Sequence, residues 1–134
     1  LARRGKFPDR SEYREFVPRP LRTLINKAIN VDPSKRFATA DDMRHALEQV
    51  TIQKNWMERR LSNGIEWTCG WDSKCYKVTR MRNGKGRWDV VVCKGRTKTS
   101  MRKVSAMSIA DVSKIDAERH CRRVLQDFVL GRNK

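Results

Sequence analysis

The chain has 134 residues, a length that fits one compact domain or two small modules. Its 31 Lys and Arg outnumber 15 Asp and Glu, giving a formal net charge of +16 that favours anionic partners. Four Trp and four Phe argue against a wholly disordered tail, and no apolar run approaches the ~20 residues of a membrane-spanning helix. The opening residues, Leu1-Ala2-Arg3-Arg4-Gly5-Lys6, lack an initiator Met and have no apolar stretch behind their charges. They read as part of a longer cytoplasmic protein rather than as a signal peptide.

Charge is uneven along the chain. Residues 1–60 carry a net +6 and residues 61–134 a net +10, and within 74–103 eleven basic residues face only Asp89. Four cysteines, at 69, 75, 93 and 121, form no CxxC pair, and His45 and His120 complete no zinc pattern. His120 and Cys121 are adjacent, and neighbouring helical residues point in different directions.

Pro20 suits a first helical turn, and Leu21, Leu24, Ile25, Ala28 and Ile29 follow with helical spacing. The stripe stops at Asn30, where Val31-Asp32-Pro33 breaks the helix. Thr39 then offers an N-cap with Asp41 and Asp42 in the first turn, ahead of Met43, Ala46, Leu47 and Val50. Two short helices bury little between them, so this segment calls for a larger partner. Gln53 and Lys54 are the only linker-like residues that follow.

From Asn55 the period becomes alternating. Asn55 to Leu61 and Ile65 to Cys69 flank Ser62-Asn63-Gly64, a hairpin signal because Asn and Gly tolerate positive φ. Cys75 to Met81 and Arg87 to Cys93 flank a second turn, Asn83-Gly84-Lys85-Gly86. In the latter strand Trp88, Val90 and Val92 face one way, Asp89 and Val91 the other. The Gly84-Lys85-Gly86 run lacks the Lys-Ser/Thr ending of a phosphate loop and reads as a turn. Arg96 to Val104 is expected to be a basic edge strand. Cys69 and Cys75 flank a turn, which leaves a bridge between them open beside the reading of reduced thiols.

The last segment turns helical. Ser108 with Asp111 fits an N-terminal cap, and Ile109, Val112, Cys121, Val124, Leu125 and Phe128 supply an apolar face before Gly131. Ser113 to Glu118 interrupts that face, so a short helix followed by a longer one capped at Asp116 is also consistent. The expected fold is α+β: two N-terminal helices in residues 1–50, then in 51–134 an antiparallel meander of four or five strands with a C-terminal helix packed on one face.

Residues 5–50 resemble the closing part of a bacterial eukaryotic-like Ser/Thr protein kinase domain. The resemblance is carried by Gly5-Lys6-Phe7-Pro8, Val17-Pro18-Arg19-Pro20-Leu21 and Leu24-Ile25-Asn26-Lys27-Ala28-Ile29, then Asp32-Pro33-Ser34-Lys35-Arg36-Phe37 and Ala40-Asp41-Asp42-Met43 through Ala46-Leu47. It implies that the two helices close a kinase large lobe. It also implies that Arg36 is a structural residue whose bidentate carboxylate partner, a Glu below the activation segment, lies outside this sequence. The Gly-rich loop, the catalytic lysine, the His-Arg-Asp loop and Asp-Phe-Gly are all missing, so the chain carries no phosphoryl-transfer machinery. ATP and magnesium are implied only for a parent kinase, and no cofactor or metal is expected on this chain.

The second module offers a candidate polyanion-binding set: Lys74, Lys77, Arg80, Arg82, Lys85, Arg87, Lys94, Arg96, Lys98, Arg102 and Lys103. On one sheet face these would bind phosphates through counterion release. Trp67, Trp71 and Tyr76 are candidates for base stacking, against a core role for Trp67, Trp88 and Tyr76. Two classes of partner stay open. One is an acidic substrate or regulator of the kinase, docked through Arg forks; the other is DNA or RNA. The hydroxyls of Thr97, Thr99 and Ser100 are candidates for phosphorylation that would neutralise the patch. No Ser/His/Asp or Cys/His arrangement points to a separate enzyme or toxin.

Overall fold

The computed structural model describes residues 8–71 and 73–132, without the Trp71 side chain. The chain divides into two compact units, Leu1–Ile52 and Gln53–Lys134. Gly5, Lys6 and Phe7 of the kinase resemblance, and the proposed stacking side chain of Trp71, lie outside the described residues.

In the first unit, α1 (Arg19–Ala28) begins behind Pro18, with Pro20 in its first turn. The preceding segment is tied to this helix by side chains rather than by a core. Tyr13 donates its hydroxyl to Asn26 Oδ1 at 2.6 Å, Arg22 Nε donates to the Val17 carbonyl at 2.8 Å, and Arg10 reaches the Ile29 carbonyl at 2.7 Å. Asp32 then caps a short 3-10 turn, Pro33–Lys35, accepting from Ser34 N and Oγ. Those two bonds hold its carboxyl below the usual range. α2 (Ala40–Glu48) starts at Thr39 with a reciprocal capping box, in which Asp42 N donates to Thr39 Oγ1 and Thr39 N to Asp42 Oδ2. Neither helix contains a buried residue.

The second unit is an α+β domain built on an antiparallel sheet. Strands β1 (Met57–Leu61), β2 (Gly64–Trp71), β3 (Lys74–Arg82) and β4 (Trp88–Gly95) lie side by side in chain order. Two short strands share the outer edge of β4. β5 (Arg102–Lys103) pairs with its C-terminal half, and β6 (Ile109–Val112) with its N-terminal half across a bulge. Ser108 bridges the interruption: it accepts from Val92 N at 3.0 Å and donates to the Val104 carbonyl at 2.8 Å. The helix α3 (Lys114–Val129) closes the domain, capped by Ser113, which accepts from Asp116 N.

Register fixes the two faces. Trp67 pairs with Val78 and Val78 with Val92, while Cys69 pairs with Tyr76 and Arg80 with Val90. These residues point one way and are buried with Ala117, Cys121, Val124, Leu125 and Phe128 of α3. Burying Phe128 against Tyr76 at 4.8 Å and Trp56 at 5.7 Å seals the helix's C-terminal end onto the sheet.

Several expectations need correction. Arg96 to Val104 is not a continuous edge strand; only Arg102–Lys103 pairs, because residues 97–100 close on themselves through the Thr97 and Ser100 hydroxyls. Ser108 and Asp111 do not cap a helix. Ser108 immediately precedes β6 and Asp111 lies within it, where Asp111 takes φ +57 at the bulge and donates its N–H to Asp89 Oδ1. The first hairpin turns on Ser62-Asn63, with Gly64 already paired to Leu61. Neither Asn63 nor Gly64 has positive φ; glycine is required there because a Cβ would overlap the Arg80 carbonyl. Gln53 and Lys54 are no linker, since Gln53 N donates to the Val129 carbonyl at 2.7 Å and Lys54 is buried.

Candidate polyanion-binding site

The eleven basic residues of 74–103 do not share one face. Arg80 is 7% exposed, with its guanidinium 5.6 Å above the Trp67 ring, and is a core residue. Lys94 lies on the same side, its Nζ 5.7 Å above Tyr76. Lys77 and Lys103 flank Cys93 on the other face, which also carries Arg59, Glu66 and Asp89. Arg59 bonds Glu66 at 2.9 Å, so that face has mixed rather than positive charge.

Apart from Arg80 and Lys77, the cations of this set gather at the two ends of the sheet. At one end Arg82, Lys85 and Arg87 surround the β3–β4 turn, which Asn83 organises by accepting from Lys85 N and Arg87 N. Gly86 takes φ +76 in this turn, and the antiparallel pairing of β3 with β4 on either side makes it a hairpin. Arg87 is already engaged, with Nε donating to the Asp111 carbonyl at 2.9 Å and lying 3.5 Å from its carboxylate. At the other end stand Lys74, Lys94, Arg96, Lys98, Arg102 and Lys103. Among the described residues none of these six has a carboxylate within ion-pair distance.

The β4–β5 connection shapes this end into a cup of about 690 Å³, lined by Lys94, Gly95, Arg96, Ser100, Met101 and Arg102. Lys94 and Arg102 are opposite each other in the ladder. Gly95 is needed where it stands, because a Cβ there would overlap the Ser100 carbonyl and approach Met101 Cα to 2.8 Å. Ser100 Oγ is held by the Thr97 N–H at 3.3 Å and by the Thr97 hydroxyl at 2.8 Å. Lys98 lines a separate cleft of about 180 Å³, beside Thr68, Cys69 and Cys75.

The other candidates also find their places. Trp67 and Tyr76 are 0% and 2% exposed, which removes them as stacking platforms; Trp88 is half-buried. Cys69 and Cys75 are free thiols on opposite faces, since Cys69 pairs with Tyr76 and Cys75 with Gly70. Burial pushes the Cys69 thiol above its ordinary value, and the Lys54 ammonium partly offsets this. Among the described residues no three His, Cys, Asp or Glu side chains cluster as a metal site, and no helix is long and apolar enough to cross a membrane. Arg36 is exposed and bonds backbone, donating from Nε to the Asn30 carbonyl at 2.7 Å.

Lys54 and Ser100 were not among the expected polyanion-binding residues. Lys54 is 8% exposed, with its ammonium 5.2 Å above Tyr76 and 5.9 Å from the Phe128 ring. Ser100 reaches the cup only because the expected strand is a turn. Compared with known proteins, the chain matches no family model, no curated protein and no solved structure.

Proposed function

We propose that this chain is the closing end of a Ser/Thr protein kinase large lobe, residues 1–50, joined to a basic accessory module, residues 51–134, that docks acidic segments of a substrate or regulator in the cytoplasm. The chain is non-catalytic by itself; ATP and magnesium belong to the catalytic part of the parent. The kinase reading rests on the resemblance of residues 5–50. The exposed state of the first unit supports it, because the stripe of Leu21, Leu24, Ile25 and Ala28 is only half-buried and suits coverage by the rest of a lobe. One observation carries the docking reading: six cations stand at one end of the sheet with no carboxylate in ion-pair reach among the described residues. Nucleic acid is the alternative, favoured by the net charge of +16 and weakened by the burial of Trp67 and Tyr76.

The test is fluorescence anisotropy of the whole chain with a labelled Asp/Glu-rich peptide, a DNA duplex and single-stranded RNA, from low salt to about 0.3 M. Docking requires peptide binding near physiological salt that weakens when Arg96 and Arg102 are replaced by Glu. Tight, steeply salt-dependent binding of DNA or RNA with no peptide binding would favour the alternative and overturn docking.

A further inference from the structure

We propose that the cup at the β4–β5 turn is a phosphomonoester site whose ligand is a phosphorylated serine or threonine in a partner protein. This rests on the docking reading and sharpens it from acidic segments in general to phosphorylated ones. Three cationic residues, Lys94, Arg96 and Arg102, line the cup together with Ser100, and no acidic residue does. A phosphomonoester carries a charge of about −1.5 to −2 on three acceptor oxygens, which suits a cup lined by three cationic residues. A single carboxylate would leave most of that positive charge uncompensated. Two of the three cations are arginines, whose planar forks bind phosphate oxygens in pairs.

Part of the wall is held in place within the fold. Lys94 rests over Tyr76 and sits opposite Arg102 in the ladder. Gly95 lets the Ser100–Met101 backbone close in against β4, and Thr97 holds the Ser100 hydroxyl. Pre-organised walls lower the ordering cost of binding. A nucleic-acid backbone presents a different problem, with one charge per diester repeated along a strand, and it needs a track of cations. Here the track is broken, since Glu66 and Asp89 interrupt the open sheet face and the aromatic side chains described in the core are unavailable for stacking.

The experiment titrates the whole chain against a labelled phosphoserine peptide with uncharged flanks, its unphosphorylated and Glu-substituted counterparts, and a DNA duplex, with inorganic phosphate as competitor. The phosphopeptide should bind about tenfold tighter than the Glu peptide, because a dianion uses all three cations. Arg96→Gln with Arg102→Gln should weaken phosphopeptide binding by about tenfold or more. Arg59→Gln, at the far side of the sheet, should leave it unchanged. Broadening of the phosphopeptide ³¹P resonance by the unsubstituted chain provides a readout independent of whether the double variant folds. Equal affinity for the phospho and Glu peptides overturns the phosphate site and leaves charge-based docking standing. No binding of either peptide overturns both, and tighter binding of DNA, lost in the same variant, assigns the cup to nucleic acid instead.

Discussion

Phe128→Ala tests whether α3 is seated on the sheet as described. The Phe128 ring is 2% exposed and contacts Tyr76, Trp56 and the Lys54 ammonium. Truncating a buried Phe removes its transfer free energy and leaves a cavity, together about 3–5 kcal/mol. A unit of this size is held by about 4–12 kcal/mol, so the variant loses a large share of its margin. All four tryptophans lie in the second unit, so their fluorescence follows its urea unfolding without interference from the first. With a slope of about 1–3 kcal/mol/M, the midpoint should fall by about 2 M. Ile115→Ala is the internal control, because Ile115 lies on the same helix and is 66% exposed. Its effect should stay within about 0.5 kcal/mol. A loss below about 1 kcal/mol at Phe128, or one equal to that at Ile115, would refute this seating of the helix.

Gly95→Ala should cost about 1–3 kcal/mol through backbone overlap and should also weaken phosphopeptide binding; an unchanged urea midpoint would show that the β4–β5 turn does not approach β4 as described. Thr39→Ala removes the capping box of α2 and should cost about 1 kcal/mol, read as lost helicity by circular dichroism. Under native alkylation followed by mass spectrometry, the half-buried Cys75 and Cys93 should react well before the buried Cys69 and Cys121. Burial raises the thiol of Cys69 above 9.0 and the hydroxyl of Tyr76 above 10.0. Both groups therefore hold their protons longer in the folded chain than in the unfolded one. The stability this confers is complete below about pH 9 and is lost as pH rises through the raised values. Cys69→Ser should flatten that decline, and a steeper decline in the variant would contradict the burial argument.

The sheet was legible because its strands alternate cleanly. Val78, Val90 and Val92 mark one face, Asn83 and Gly86 mark the turn between β3 and β4, and the Thr39 cap is a short-range signal. The segment from 96 to 113 was less legible, for a physical reason. Ser108, Asp111 and Ser113 are all credible caps by composition, and only tertiary pairing with β4 decides that the first two serve a strand. Basic residues were harder still. Nothing local separates Arg80, sealed over Trp67, from Arg82 two positions on and exposed, because strand alternation predicts the same face for both. What separates them is the depth of cover from Trp67 and α3, which comes from long-range packing. The Cys69–Cys75 question is resolved by parity: an even sequence separation favours one face along a continuous strand, and the intervening turn reverses that relation.

The distribution of charge also limits what a net +16 can do. Lys54 and Arg80 are spent inside the fold, their heads placed over Tyr76, Phe128 and Trp67, where they stabilise aromatic packing and cannot meet a partner. Arg87 is committed to Asp111, and Arg59 to Glu66. Cations at the two ends of the sheet are separated by the full length of β3 and β4, roughly 25 Å at strand rise, which exceeds the ~8 Å screening length at physiological salt. The two ends therefore act as separate electrostatic sites rather than as one patch. The end bearing Lys94, Arg96 and Arg102 has a concave wall lined by three cationic residues and Ser100, with no acidic residue in its lining. Long-range charge brings many anions near this protein; the geometry of that one end selects among them.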